Sequence, residues 1–183
     1  HYNKLRNEKT PELIRPNTDT EIPLTIEETR KDDEKSKGHL MFVPVKISSK
    51  EYPFIFDTGA VGTFISERFA DEIGLRIIQD SILITGIKQL YGKMGIIDSI
   101  AVGDIIYKNL LVTVGPSIAE VDSVYQVDAV LGLDFINRVK NIHIYPQEKR
   151  IVFPIQNNNT TLYESNMVMD GIPYLKLSSD NES

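Results

Sequence analysis

Phe54-Ile55-Phe56-Asp57-Thr58-Gly59-Ala60 is the stretch on which the reading of this chain turns. Three apolar residues of high strand propensity carry the backbone out of a core and end on a carboxylate. Gly59 permits close backbone approach and an unusual φ. Its N–H can therefore hydrogen-bond the Asp57 carboxylate and hold it in plane. Thr58 has a hydroxyl able to donate to backbone across an interface, and Ala60 leaves room beside the acid. The segment reads as a rigid mount for one carboxylate at the base of a cleft. Asp57 as a turn or capping aspartate is the plainer alternative, since turns favour Asp and Gly. A phosphoaspartate would need acidic partners close by. Residues 59–63 are glycine-rich but lack the lysine of a phosphate loop.

Working outward, the pattern is β. Leu40 to Ile47 reads as a strand with Pro44 at an edge or bulge, residues 48–51 as a turn, and Tyr52 to Phe56 as the return strand. Beyond the loop, Phe64 to Ile73 has helical spacing, with Phe64, Ile65, Phe69 and Ile73 on one face and Gly74 closing it. Strands are expected at Ile82–Thr85, Gly95–Val102, Ile105–Tyr107 and Leu110–Val114, with a turn at Gly103-Asp104. Ala129-Val130-Leu131 is a short, fully apolar strand that stops at Gly132. Asp134 to Val139 reads as a short helix capped by Asp134. Asn141–Tyr145 and Arg150–Phe153 form a hairpin. Asp98 and Asp128 are expected to be solvated. Many short strands with two short helices predict an all-β domain, closed or sandwich-like.

The 183 residues allow one domain with a core plus an arm. A net charge of −6 gives no basic footprint, which argues against a nucleic-acid partner. No apolar run approaches the roughly 20 residues of a membrane span. The absence of cysteine excludes disulfides, thiol catalysis and thiolate metal sites. His39 and His143 are isolated and match no zinc spacing, so neither metal nor cofactor is expected.

Residues 1–37 read as a polar, partly disordered arm, because nine of the eleven residues from Glu27 to Lys37 are charged. Its apolar island Ile22–Ile26 could add an edge strand. The main domain is expected at 38–155, and 156–183 as a linker followed by the first strand of a second, truncated lobe. That last expectation rests on Lys46-Ile47-Ser48-Ser49 recurring as Lys176-Leu177-Ser178-Ser179. The same offset would place a second aspartate at position 187, past Ser183.

The 54–60 run resembles the active-site loop of the retropepsin-like aspartic proteases, among them the bacterial gag-polyprotein-type aspartyl proteases. Val130-Leu131-Gly132, 75 residues downstream at its glycine, is similar to the family's apolar-apolar-Gly segment that threads past the loop. Three residues recur by chance; the joint pattern, over roughly 39–155, is far more specific. The resemblance implies a retropepsin-like closed β-barrel lobe with a flap hairpin at Gly86–Gly95. Gly86, Gly92 and Gly95 would serve as its hinge and tip, and Tyr91 would either close over substrate from the flap or stand as an exposed hairpin tyrosine.

The resemblance also implies Asp57 as a catalytic acid, with Thr58, Gly59 and Ala60 supporting it. Carboxylate-driven peptide hydrolysis needs two such acids sharing a proton. One activates water and the other donates to the scissile carbonyl. The chain has one Asp-Thr-Gly, so the expected partners are a peptide or protein substrate and a second lobe, from a homodimer or a C-terminal extension. The alternative is an inactive lobe that binds peptide or acts as a scaffold. An extracytoplasmic site is expected by family resemblance. A further reading places residues 1–37 in the cleft as a regulatory arm.

Overall fold

The computed structural model describes residues 8–29, 38–85, 89–116, 127–155, 167–170 and 172–175. The strands are β1 (Glu12–Ile14), β2 (Thr20–Pro23), β3 (Thr25–Thr29), β4 (Gly38–Ile47), β5 (Lys50–Phe56), β6 (Phe64–Ser66), β7 (Arg76–Thr85), β8 (Gln89–Val102), β9 (Ile105–Gly115), β10 (Ala129–Leu131), β11 (His143–Tyr145), β12 (Arg150–Phe153), β13 (Met167–Asp170) and β14 (Ile172–Leu175). The helices are α1 (Glu67–Glu72) and α2 (Leu133–Val139). The class is all-β.

In the main sheet the pairings run β9-β6-β10-β5-β4-β8, and β8 pairs again with β9, so the circuit closes. Edge strands attach to it: β1 on β9, β7 on β8 and β3 on β4. The core inside is aliphatic and aromatic, with Phe54, Ile65, Ile100, Leu110, Leu131, Phe135 and Phe153 fully buried. Each such side chain contributes about 1.5–3 kcal/mol through burial. Phe135 and Phe153 meet edge to face at 6.1 Å, which seats α2 against β12.

The N-terminal segment is woven into this body. β2 pairs with β12, β3 pairs with β4, and Leu24 between them donates its N–H to Lys149 O. Ile22 and Leu24 are buried, following the period-2 alternation of Thr20-Glu21-Ile22-Pro23-Leu24. Arg15 Nη1 donates to Val139 O at the end of α2, and its Nη2 donates to Phe153 O and Pro154 O. β13 and β14 pair with each other. Residues 157–161, Gly171 and 176–179 lie outside the described residues.

Four local expectations need correction. Phe64–Ser66 is a strand, and the helix begins only at Glu67. β6 finds hydrogen-bonding neighbours on both edges, β9 and β10, and this tertiary pairing overrides the helical spacing. Ser66 then caps α1, accepting from Phe69 N at 3.1 Å. Asp128 is not merely solvated: it accepts from Ser66 Oγ at 2.8 Å and is bridged by Arg68. Asp134 is not the cap of α2; Gly132 occupies that position. The two strands expected at 105–107 and 110–114 are one, β9.

Candidate active site

Asp57 leaves the end of β5, and the strand that fixes it arrives from the far side of the sequence. β10 slots between β5 and β6, parallel to the first (Leu131 opposite Phe56) and antiparallel to the second (Val130 opposite Phe64). Asp57 N donates to Leu131 O at 3.1 Å, and Leu133 N donates to Ala60 O at 2.8 Å. The loop is thus held across a β10–α2 junction on which Gly132 sits. A Cβ at Gly132 would run into Gly62 O and lie 2.8 Å from Ala60 O, so only glycine lets the two backbones approach this closely.

The carboxylate itself is oriented from within the loop. Gly59 N donates to Asp57 Oδ1 at 2.7 Å, as the sequence reading anticipated, and a Cβ on Gly59 would lie 3.1 Å from the same oxygen. Charge-assisted bonds of this kind to a carboxylate are among the stronger ones. Asp57 is partly exposed and Thr58 and Gly59 are exposed. Val61, one residue past Ala60, is 66% exposed.

Asp57, Thr58 and Ala60 line an open groove of about 420 Å³ together with His39, Leu40, Met41, Ile55, Phe56, Phe64 and Val130. A small apolar cluster of Ile55, Val127 and Val130, with Leu40, Phe42, Ala60 and Phe64 packed on it, shares much of this lining. The groove is therefore a carboxylate beside an apolar wall. Sequence reasoning missed the contribution of His39, Leu40 and Met41, which sit in the first half of β4; their only signal was strand alternation.

The loop's far end is tied as well. Thr63 N donates to Asp134 Oδ2 at 3.0 Å and Thr63 Oγ1 to Asp134 Oδ1 at 2.9 Å, while Phe135 N donates to Oδ1 at 2.9 Å. Burial pushes the Asp134 carboxyl above the usual carboxylate range, against the pull of the bonds from Thr63 and Phe135.

Of the expected flap residues, Gly86 lies outside the described residues. Tyr91 is 78% exposed on β8 opposite Leu83 on β7, near the end of that hairpin. Gly92 and Gly95 lie inside β8 and are buried. A Cβ at Gly92 would run into Val114 O, and one at Gly95 would run into the Leu75 side chain. Both positions are close-packed. Among the described residues, no group of three His, Asp or Glu could hold a metal ion, and no helix is long and apolar enough to cross a membrane.

A family model described as aspartyl protease matches residues 43–135, just over half of the chain. The chain belongs to the aspartyl protease family. The matched segment of this family member runs from β4 through Phe135, so it contains the Asp57 loop, β10 and Asp134. It leaves out the N-terminal part of β4 that lines the groove. A crystal structure of a retropepsin-like aspartic protease from Rickettsia conorii is similar, with a TM-score of 0.47 and 17% identity, over 78% of this chain and 92% of that one. No curated protein matches the chain.

Proposed function

We propose that the chain is one lobe of an aspartic endopeptidase, with Asp57 as one of two carboxylates that activate water between them. The observation that carries this reading is the mount: a carboxylate at a strand end, oriented by Gly59 N at 2.7 Å and open to a groove. The second carboxylate comes from a partner lobe, either an identical one in a two-fold dimer or one further along the polypeptide. Two acids about 3 Å apart share a proton, so one is ionised to take a proton from water while the other donates. Substrate is an extended peptide, held by strand-like hydrogen bonds beneath the β7–β8 hairpin. Its apolar side chains suit the Leu40, Met41, Ile55 and Phe64 wall.

Cleavage of a mixed peptide library at acidic and neutral pH, by wild type and by Asp57→Asn, tests the reading. Cleavage by wild type only, from a species that sediments as a dimer, supports the homodimeric enzyme. Equal cleavage by both proteins would sink the assignment of Asp57. Peptide binding without cleavage, from a strict monomer, points to the inactive binding lobe instead.

A further inference from the structure

Three points of the Asp57 loop are held by chain that lies more than 70 residues away, and one of these fastenings is made by a side chain rather than by backbone. Asp134 stands in the first turn of α2 and gathers three donors, Thr63 N, Thr63 Oγ1 and Phe135 N. Its partner Thr63 is buried and closes the 57–63 loop just before β6; its own carbonyl accepts from Thr113 N at 3.0 Å on β9. The loop is therefore pinned at three successive points: Asp57 by Leu131 O, Ala60 by Leu133 N, and Thr63 by the Asp134 side chain. We propose that Asp134 is a positioning residue for Asp57, locking the far end of the loop to α2 so that the carboxylate keeps its orientation. This rests on the endopeptidase reading above.

The chemistry of the pair suits acidic conditions. When Asp134 is ionised, Thr63 Oγ1 donates to it. When Asp134 is protonated, its new O–H can donate to the same Thr63 oxygen, because a hydroxyl is both donor and acceptor. The two backbone donors keep their oxygens in either state. The lock therefore survives protonation by turning one hydrogen bond around. Its ionisable surroundings are Tyr107 on β9, which interacts electrostatically with Asp134 and with Arg138 of α2; burial raises the Tyr107 phenol, leaving it neutral at acidic pH. A valine at 63 would lose this reversible bond, whereas a serine would keep it.

The test compares Asp134→Ala, Asp134→Asn, Thr63→Val and Thr63→Ser with wild type, well below the melting temperature of each. Amide hydrogen exchange read by NMR at Gly59 and Thr63 needs no activity. Asp134→Ala should speed exchange at both by about tenfold or more, with Ile151 and Phe153 of β12 unchanged. Asp134→Asn should recover most of the protection, since its carbonyl accepts from Thr63 N and its amide donates to Thr63 Oγ1. Should Asp134→Ala fail to fold, Thr63→Val against Thr63→Ser makes the same comparison. In the cleavage assay, loss of Asp134 should lower kcat on the order of 10²-fold with KM within about twofold, as misplacement of a reacting group does. Wild-type exchange at Gly59 in both Asp134→Ala and Thr63→Val overturns the proposal. An equal rise in exchange at Gly59 and in β12 also overturns it, as that marks a purely structural role. If wild type cleaves nothing, the endopeptidase reading fails while the exchange data still decide whether Asp134 holds the loop.

Discussion

The Asp57 loop and the end of the β7–β8 hairpin are both short excursions beyond the sheet, yet they are held in opposite ways. Residues 57–63 are fastened by backbone and side-chain bonds to β10, α2 and β9, so distant parts of the sequence must agree on their position. At the hairpin's end, Ile82 to Thr85 pair with Gln89 to Gly92 of the adjoining strand, and Leu83 and Tyr91 stand 54% and 78% exposed. One region is fixed, as the proposed role of Asp57 requires. The other is a two-stranded ribbon, the kind of element that opens at low free-energy cost. The boundary is sharp: Gly92, beside Tyr91, is already packed too tightly for a Cβ.

The largest effect should come from the carboxylate that the fixed region presents. Asp57→Asn is expected to cut the cleavage rate roughly 10²–10⁴-fold, because on the proposed mechanism it removes a general acid–base group. Its thermal midpoint should hardly move, as the amide oxygen can still accept from Gly59 N. Gly132→Ala should come next, lowering the unfolding free energy in urea by about 3 kcal/mol, since backbone rather than a flexible side-chain end blocks the new methyl. Gly92→Ala should cost a similar amount; a negligible cost there would move the edge of the packed region and weaken the comparison.

The third effect is a pH dependence. The folded-state pKa of Asp134 is raised, so the folded chain holds that proton to higher pH than the unfolded chain does. Its contribution to stability is therefore complete below the ordinary aspartate value and is lost as pH rises through the folded one. Glu8 and Glu72 are shifted the opposite way, so the clean measure is a difference. The stability of wild type minus that of Asp134→Asn should fall with rising pH across this window, and a flat difference would remove the buried-carboxylate account. The smallest effect belongs to the ribbon. Tyr91→Ala should change stability by less than about 0.5 kcal/mol, because the side chain is largely in water. Any consequence should show in KM, and a loss of several degrees in melting temperature would mean the ribbon is more tightly held than its exposure says.

Much of this was legible before any coordinates. The apolar lead-in to Asp57 and the Val130-Leu131-Gly132 segment each declare their local role through composition, and pairing them needs only the family resemblance. Phe64–Ser66 was misread because its apolar spacing fits a helix, while its true partners, β9 and β10, are remote in sequence. Asp134 and Asp128 were misread for a related reason. A lone aspartate looks the same whether it caps a helix, faces water or receives Thr63 or Ser66, and only the fold supplies the second residue. Arg15 gave no local sign that its guanidinium would close the end of α2. The apolar island Ile22–Ile26 did carry a signal, that of an added edge strand, and β2 and β3 run through it, paired with β12 and β4.

The strand that completes the mount, β10, begins 72 residues after Asp57, and this separation has a consequence in time. A ribosome that has released the Asp57 loop has not yet made the residues that hold it. Chain synthesis proceeds at about 5–20 residues per second, so the acid waits several seconds before Leu131 and Asp134 can reach it. Contacts of such long sequence separation also form late in folding, because loop closure precedes any reward. The geometry of the Asp57 mount is therefore among the last features to appear, and a polypeptide interrupted between the Asp57 loop and α2 carries the Asp-Thr-Gly signature without all the residues that hold it in place.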